Sequence, residues 1–302
     1  MPHNHSHHHG GEKNRADNRR RLTLVLCLTG GFAVAEVVGG ILTGSLALIA
    51  DAGHMLSDSA SLLLALVAVW LAGRPTTHTR TFGFQRAEIL AALVNGVALI
   101  AIAAWIFYEA GGRLSDPPEV DAGPMLAVAA LGLAINLVAA RILMHAQGES
   151  LNMKAAYRHV LADLLGSVGV IVAAVIILAT DWLQADPIVS IVVGVLILAS
   201  AWGVIRDSGR ILMEVAPAGL DARTIGERMA AVDGVVEIHD LHIWTITSGF
   251  PALSAHVVVE HDDDCHQRRL ELGAMLRKEY GLDHTTLQVE HEERPGLLQI
   301  DT

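Results

Sequence analysis

Six apolar stretches, at about residues 22–43, 46–72, 87–111, 123–144, 155–180 and 185–206, dominate the chain. A helix needs roughly 20 predominantly apolar residues to cross the hydrocarbon core of a bilayer, and each stretch is near or above that length. A strand reading fails, because the stretches are too long and lack period-two alternation. Of 302 residues 52% are hydrophobic and only 4% aromatic, which is more apolar surface than a soluble domain can bury. Part of this protein's solvent must therefore be lipid.

Basic residues set the expected orientation. Lys13, Arg15, Arg19, Arg20 and Arg21 precede the first stretch, Arg74, Arg80 and Arg86 lie between the second and third, and Arg141, Lys154 and Arg158 lie around the link of the fourth and fifth. Arg113 is the only basic residue in the opposite connections. The positive-inside rule then places both termini in the cytoplasm, in agreement with an even number of spans, and the cell (inner) membrane is the expected location. No signal peptide is read, since the first apolar stretch is long and ends in no small-residue cleavage pattern.

The expected organisation is a His-rich disordered tail at residues 1–21, a six-helix membrane domain at 22–207 and a cytoplasmic domain at 208–302. The tail includes His3, His5, His7, His8 and His9, a composition that invites metal. Residues 208–302 carry 17 acidic against 8 basic side chains, so this domain repels nucleic acid and attracts cations. Its pattern reads as a helix at 224–231, strands at 235–246 and 253–260 around a turn at Ser248–Pro251, a helix at 267–280 and a strand at 285–289. The order αββαβ predicts a small sheet with helices on one face. Two cysteines, Cys27 and Cys265, make no disulfide framework and fit a reducing compartment.

The membrane stretches contain ionisable residues that need a reason to be there. His54 and Asp58 stand four apart in the second stretch, and His159 and Asp163 stand four apart in the fifth. Such spacing puts each pair on one helix face, one turn apart. Two helices facing each other would bring two imidazoles and two carboxylates together, a tetrahedral set of nitrogen and oxygen donors whose charge balances a 2+ ion. An ionisable group at mid-bilayer costs at least about 2.5–3.5 kcal/mol, so a repeated His-x-x-x-Asp points to a metal path rather than to helix packing. Asp51, one turn before His54, is a candidate fifth ligand or proton site. Glu36, Asn95 and Asn136 are expected to line the path or to bond between helices. No His-Glu-x-x-His helix and no phosphate loop occurs, so neither a metalloprotease nor a nucleotide-driven pump is expected; the protein is not an enzyme, and an ion gradient supplies the energy.

These residues resemble the cation diffusion facilitator family, in particular its zinc-efflux branch. The resemblance is carried by Ser45 to Ser59, by Arg80-Thr81-Phe82-Gly83-Phe84-Gln85-Arg86-Ala87-Glu88-Ile89-Leu90, by His239-Asp240-Leu241-His242-Ile243-Trp244 through Ala255-His256 to Glu260, and by His159 with Asp163. It implies a homodimer, a metallochaperone-like αββαβ cytoplasmic domain, and metal export in exchange for protons. It also implies that His54, Asp58, His159 and Asp163 form the transport site, and that His239, His256 and His291 bind metal near the interface of the cytoplasmic domains. His54 matches the zinc and cadmium pattern, where manganese- and iron-associated relatives tend to have Asp. Some relatives hold a further metal in the loop after the second span. Here Arg80, Phe84 and Gln85 stand at the neighbouring positions and His78 is the loop's lone histidine, so that site is not expected.

The function expected is a Zn²⁺/H⁺ antiporter with no resident cofactor, Zn²⁺ being cargo and regulatory ion, in contact with membrane lipids. The alternatives are efflux of another divalent ion, Cd²⁺, Co²⁺, Ni²⁺ or Mn²⁺, and a membrane metal sensor, which would need an output motif that the chain does not display. The segment His261-Asp262-Asp263-Asp264-Cys265-His266 reads as a solvated acidic loop or as a metal cluster.

Overall fold

The computed structural model describes the backbone of residues 9–72, 74–144 and 151–292, and the side chains of these residues other than 9–22, 58, 61, 62, 65, 66, 68, 69, 72, 151–156, 158, 159 and 162. Six long helices come first: α1 (His9–Thr43), α2 (Leu46–Ala72), α3 (Ala87–Ser115), α4 (Ala122–Met144), α5 (Leu151–Thr180) and α6 (Ala185–Leu212). Among the described residues, Thr23–Thr43, Ala87–Ser115, Ala122–Met144, Asp163–Thr180 and Ala185–Leu212 are long and apolar enough to cross a membrane. α2 has 27 residues, about 40 Å of helix, and is long enough for a sixth crossing. The protein is a multi-pass membrane protein.

One boundary differs from expectation. α1 starts at His9, inside the stretch read as a disordered tail; residues 1–8, with four of the five tail histidines, lie outside the described residues. Residues 12–22 include four arginines with one each of Glu, Lys, Ala and Leu, all good helix formers, and contain no proline. Once the apolar span has nucleated a helix, extension through such residues costs little.

The chain divides into two compact units, one of Met1–Leu64 with Val94–Val204 and one of Ala65–Leu93 with Ile205–Thr302. In the first, large apolar side chains such as Leu42, Val94, Tyr108 and Leu165 stand exposed, as suits a hydrocarbon surrounding, while small residues line the helix contacts. A Cβ at Gly132 of α4 would stand 2.6 Å from the Phe32 ring of α1, so only glycine permits that approach.

The start of α2 is held by a residue 140 positions away. Asp186, fully buried in the first turn of α6, accepts hydrogen bonds from Ser45 Oγ at 2.6 Å, from Leu46 N–H at 2.8 Å and from Ala47 N–H at 3.2 Å. The two backbone N–H groups are among the donors that a helix start leaves without intrahelical partners. Arg113 Nη1 approaches the same carboxylate at 4.0 Å. Asp186→Ala strands buried donors at 1–3 kcal/mol each and should cost on the order of 3 kcal/mol or more. The expected readout is a lowered thermal unfolding midpoint of the detergent-solubilised protein, with Asp186→Asn intermediate; an unchanged midpoint would remove this role.

In the second unit, α7 (Ala222–Ala230), β1 (Val235–Thr247), β2 (Phe250–Val259), α8 (Cys265–Tyr280) and β3 (His284–His291) give the αββαβ order. The sheet order is β1-β2-β3, with β1 antiparallel and β3 parallel to β2. Leu253, Ala255, Val257 and Val259 alternate toward a core shared with Ile225 and Met229 of α7 and Leu272 and Leu276 of α8. Both helices therefore cover one sheet face, and the even-numbered residues of β2 face away. The hairpin turns at Ser248 and Gly249, where φ is +74°, and Phe250 and Pro251 already belong to β2. Thr247 Oγ1 and Ser248 Oγ each donate to the Glu88 carboxylate at 3.0 Å, tying this turn to the start of α3.

Candidate metal centres

The helix-borne site is built on α2 and α5. His54 Nε2 stands 3.8 Å from Asp163 Oδ1, and Asp163 is only 4% exposed. Two nitrogen or oxygen donors on one tetrahedral zinc ion stand about 3.3 Å apart, so this pair needs to close by only about half an ångström to share a metal. One turn away, Ser167 Oγ meets Asp51 Oδ2 at 3.5 Å. As numbers rise on α5 from 163 to 167 they fall on α2 from 54 to 51, so the two helices run antiparallel. The same register puts positions 58 and 159 level with each other, one turn beyond His54 and Asp163. The side chains of Asp58 and His159 lie outside the described residues.

More acid surrounds this pair than four ligands require. Glu36 of α1 is fully buried, and neither carboxylate oxygen has a hydrogen-bond partner among the described residues. Asp51 is 1% exposed. Asn136 of α4 donates from Nδ2 to Ser167 Oγ at 3.3 Å, and Ser57 Oγ donates to Asn95 Oδ1 at 3.1 Å. Glycines make the room: a Cβ at Gly166 would lie 2.5 Å from Asp51 Oδ1, and one at Gly132 would lie 3.1 Å from Glu36 Oε1. Buried carboxylates of this density are tolerable only when cations, metal or proton, meet their charge. Ser167 was not singled out from the sequence, although it continues the series 159, 163, 167 along one helix face. Asp186 carried no comparable signal.

A second group lies on the open face of the cytoplasmic sheet. His239 pairs with His256 across β1 and β2, and their rings stack at 5.2 Å between centroids. His256 Nδ1 stands 3.4 Å from Glu290 Oε1 of β3. One donor atom from each of His239, His256 and Glu290 lies within 4.8 Å of the other two, a grouping of donor types suited to a divalent metal. A bulge at Asp240, whose φ is +48°, separates this pairing from the His242–Ser254 one and holds His239 opposite His256.

His291 does not join this group. Strand residues alternate between faces, so Glu290 points with His256 to the open face and His291 points to the helix side, where it meets Cys265. The partner of the histidine pair is therefore Glu290, one residue earlier than expected. His78 stands exposed in its loop.

Apolar helices that enclose a histidine and several buried carboxylates, followed by a small domain with its own His/His/Glu cluster, define a multi-pass transporter of metal cations. The chain belongs to the cation efflux family, the cation diffusion facilitators: residues 22–213 match the cation efflux transmembrane domain, and residues 217–292 match the cytoplasmic domain of cation efflux proteins. It is 43% identical to a cadmium, cobalt and zinc/H(+)-K(+) antiporter of Bacillus velezensis, over 96% of this chain and 92% of that protein. It is 44% identical to the zinc transporter ZitB of Escherichia coli, over 98% of this chain and 95% of that one. It is likewise 44% identical to the metal cation efflux system protein CzcD of Cupriavidus metallidurans, over 95% and 89% of the two chains.

Proposed function

We propose that this protein exports Zn²⁺ from the cytoplasm in exchange for protons, using His54, Asp58, His159 and Asp163 as the transport site. The observation that carries the reading is the approach of His54 to Asp163 across two antiparallel helices, in a buried setting with spare carboxylates. A nitrogen donor paired with carboxylates suits a borderline ion such as Zn²⁺ better than a hard one such as Mn²⁺. Relatives named as a zinc transporter and as an antiporter of cadmium, cobalt and zinc support the ion class, and the second name favours Cd²⁺ and Co²⁺ as further cargo.

The working unit is a homodimer in the cell membrane with both termini cytoplasmic, divided into a membrane domain at 22–207 and a cytoplasmic domain at 208–302. In the latter, His239, His256 and Glu290 take up metal from the cytoplasm and report its abundance. In the membrane, protons and metal compete for the same lone pairs, because ligands must be deprotonated to hold Zn²⁺. Exposing the site alternately to a proton-poor and a proton-rich side then loads metal on one side and releases it on the other, with no nucleotide.

Radiotracer flux in proteoliposomes tests this. Zinc-65 uptake into vesicles holding inverted protein should saturate, and unlabelled Zn²⁺ and Cd²⁺ should suppress it at lower concentration than Mn²⁺. Competition led by Mn²⁺, or binding without flux, would overturn the reading.

A further inference from the structure

The segment from His261 to His266 joins β2 to α8, and two of its three aspartates are committed to holding the chain in place. Asp263 accepts from Arg268 Nε at 2.8 Å and from Nη2 at 3.2 Å, and this bonding to Arg268 is the main reason its carboxyl is held below the usual carboxylate range. Asp264 is the N-cap of α8, accepting from the backbone N–H of His266 at 2.9 Å and of Gln267 at 3.1 Å. Cys265 and His261 of the same loop carry sulfur and nitrogen donors and stand beside a third donor residue.

His291, at the end of β3, arrives on the same side of the sheet. Its Nε2 lies 2.9 Å from the carbonyl oxygen of Asp263. A carbonyl only accepts, so Nε2 carries the hydrogen and Nδ1 keeps its lone pair for another partner. Cys265 Sγ stands 3.4 Å from Nε2 and 3.7 Å from Nδ1. A tetrahedral zinc bound to sulfur at about 2.3 Å and to nitrogen at about 2.0–2.1 Å separates those donors by about 3.6 Å, so the Sγ to Nδ1 spacing already suits a metal. The carbonyl on the far ring nitrogen is the outer contact that ligating histidines almost always make. The His261 ring lies 5.9 Å from the His291 ring, centroid to centroid, about an ångström beyond the roughly 5 Å at which two imidazoles share one tetrahedral ion, a gap that rotation of the exposed His261 side chain closes on binding.

We propose that His261, Cys265 and His291 form a thiolate-containing site for a borderline or soft divalent ion, on the helix side of the sheet and separate from His239, His256 and Glu290 on the open side. The thiolate favours Zn²⁺ and Cd²⁺ over oxygen-preferring ions. On binding, the Cys265 thiol releases one proton to solvent and its sulfur lone pair forms the metal bond. Three protein ligands leave one coordination position to water or to an incoming donor, and His261 and His291 are exposed, so the ion is exchangeable. The site is a loading or sensing position rather than a closed structural one, and it requires neither a direction of transport nor coupling to protons.

The test uses the full chain, purified in detergent with Cys27→Ser so that Cys265 is the only thiol. Co²⁺ titration should produce a saturable near-ultraviolet sulfur-to-cobalt charge-transfer band. The band should survive His239→Ala with Glu290→Ala, be lost in Cys265→Ser, weaken in His261→Ala and His291→Ala, and be displaced by Zn²⁺. Without any ligand substitution, bound Zn²⁺ should also slow alkylation of Cys265 by N-ethylmaleimide. Absence of the band together with unprotected Cys265 at saturating metal would overturn the site, as would a band that His261→Ala with His291→Ala leaves unchanged.

Discussion

Asp163→Ala should abolish zinc flux in proteoliposomes at equal protein incorporation, and Asp58→Ala should do the same. Asp163 is almost completely buried, and its Oδ1 faces His54 Nε2. Without that carboxylate a 2+ ion in the site loses part of its charge compensation in a medium that cannot supply it from water. Removing one partner of a buried charge pair typically costs about 3–5 kcal/mol, which is a loss of occupancy of more than about a hundredfold. Asp163→Asn keeps the shape and one acceptor but not the charge, and should fail nearly as badly, which separates electrostatics from packing. Wild-type flux in Asp163→Ala and Asp58→Ala would refute the site.

A comparably large effect is expected from the proton gradient. With a proton-rich exterior, Zn²⁺ should move outward against its own gradient, and an uncoupler should stop it. The sign follows from competition for lone pairs: low proton activity on the cytoplasmic side leaves the imidazole and carboxylate donors free to load metal, and high proton activity outside reprotonates them and ejects it. A pH-sensitive dye trapped in the vesicles should report counter-movement of protons in step with zinc. Zinc flux with no proton signal and no response to an uncoupler would make the protein a passive facilitator. On the proposed mechanism, Glu36 and Asp51, buried near the same helices, would give protons additional positions as metal moves.

Much of the membrane part was legible from the chain alone. Apolar length fixes where a bilayer helix can run, since an exposed backbone polar group in hydrocarbon costs several kcal/mol. The spacing of His54 to Asp58 and His159 to Asp163 places each pair on one face, because 3.6 residues make a turn whatever the surroundings. Apolar residues at 253, 255, 257 and 259, alternating with Ser254 and His256, likewise give a one-sided strand.

Pairings between distant segments were not legible. Asp186 caps α2 from 140 residues away, a contact that exists only because the packing brings α6 against the start of α2. The partner of His239 and His256 turned on strand parity: with β3 parallel to β2 in this register, Glu290 faces the histidines and His291 faces Cys265, and a shift of one residue would have exchanged them. For the loop from His261 to His266, composition favoured a solvated acidic turn over a metal cluster. The tertiary structure separates the roles by giving Asp263 to Arg268 and Asp264 to the helix cap, and by bringing His291 to Cys265. Local periodicity is set by backbone geometry and is therefore written in the sequence. Which donors meet across elements is set by register and packing, whose free energy is spread over many residues and belongs to no single motif.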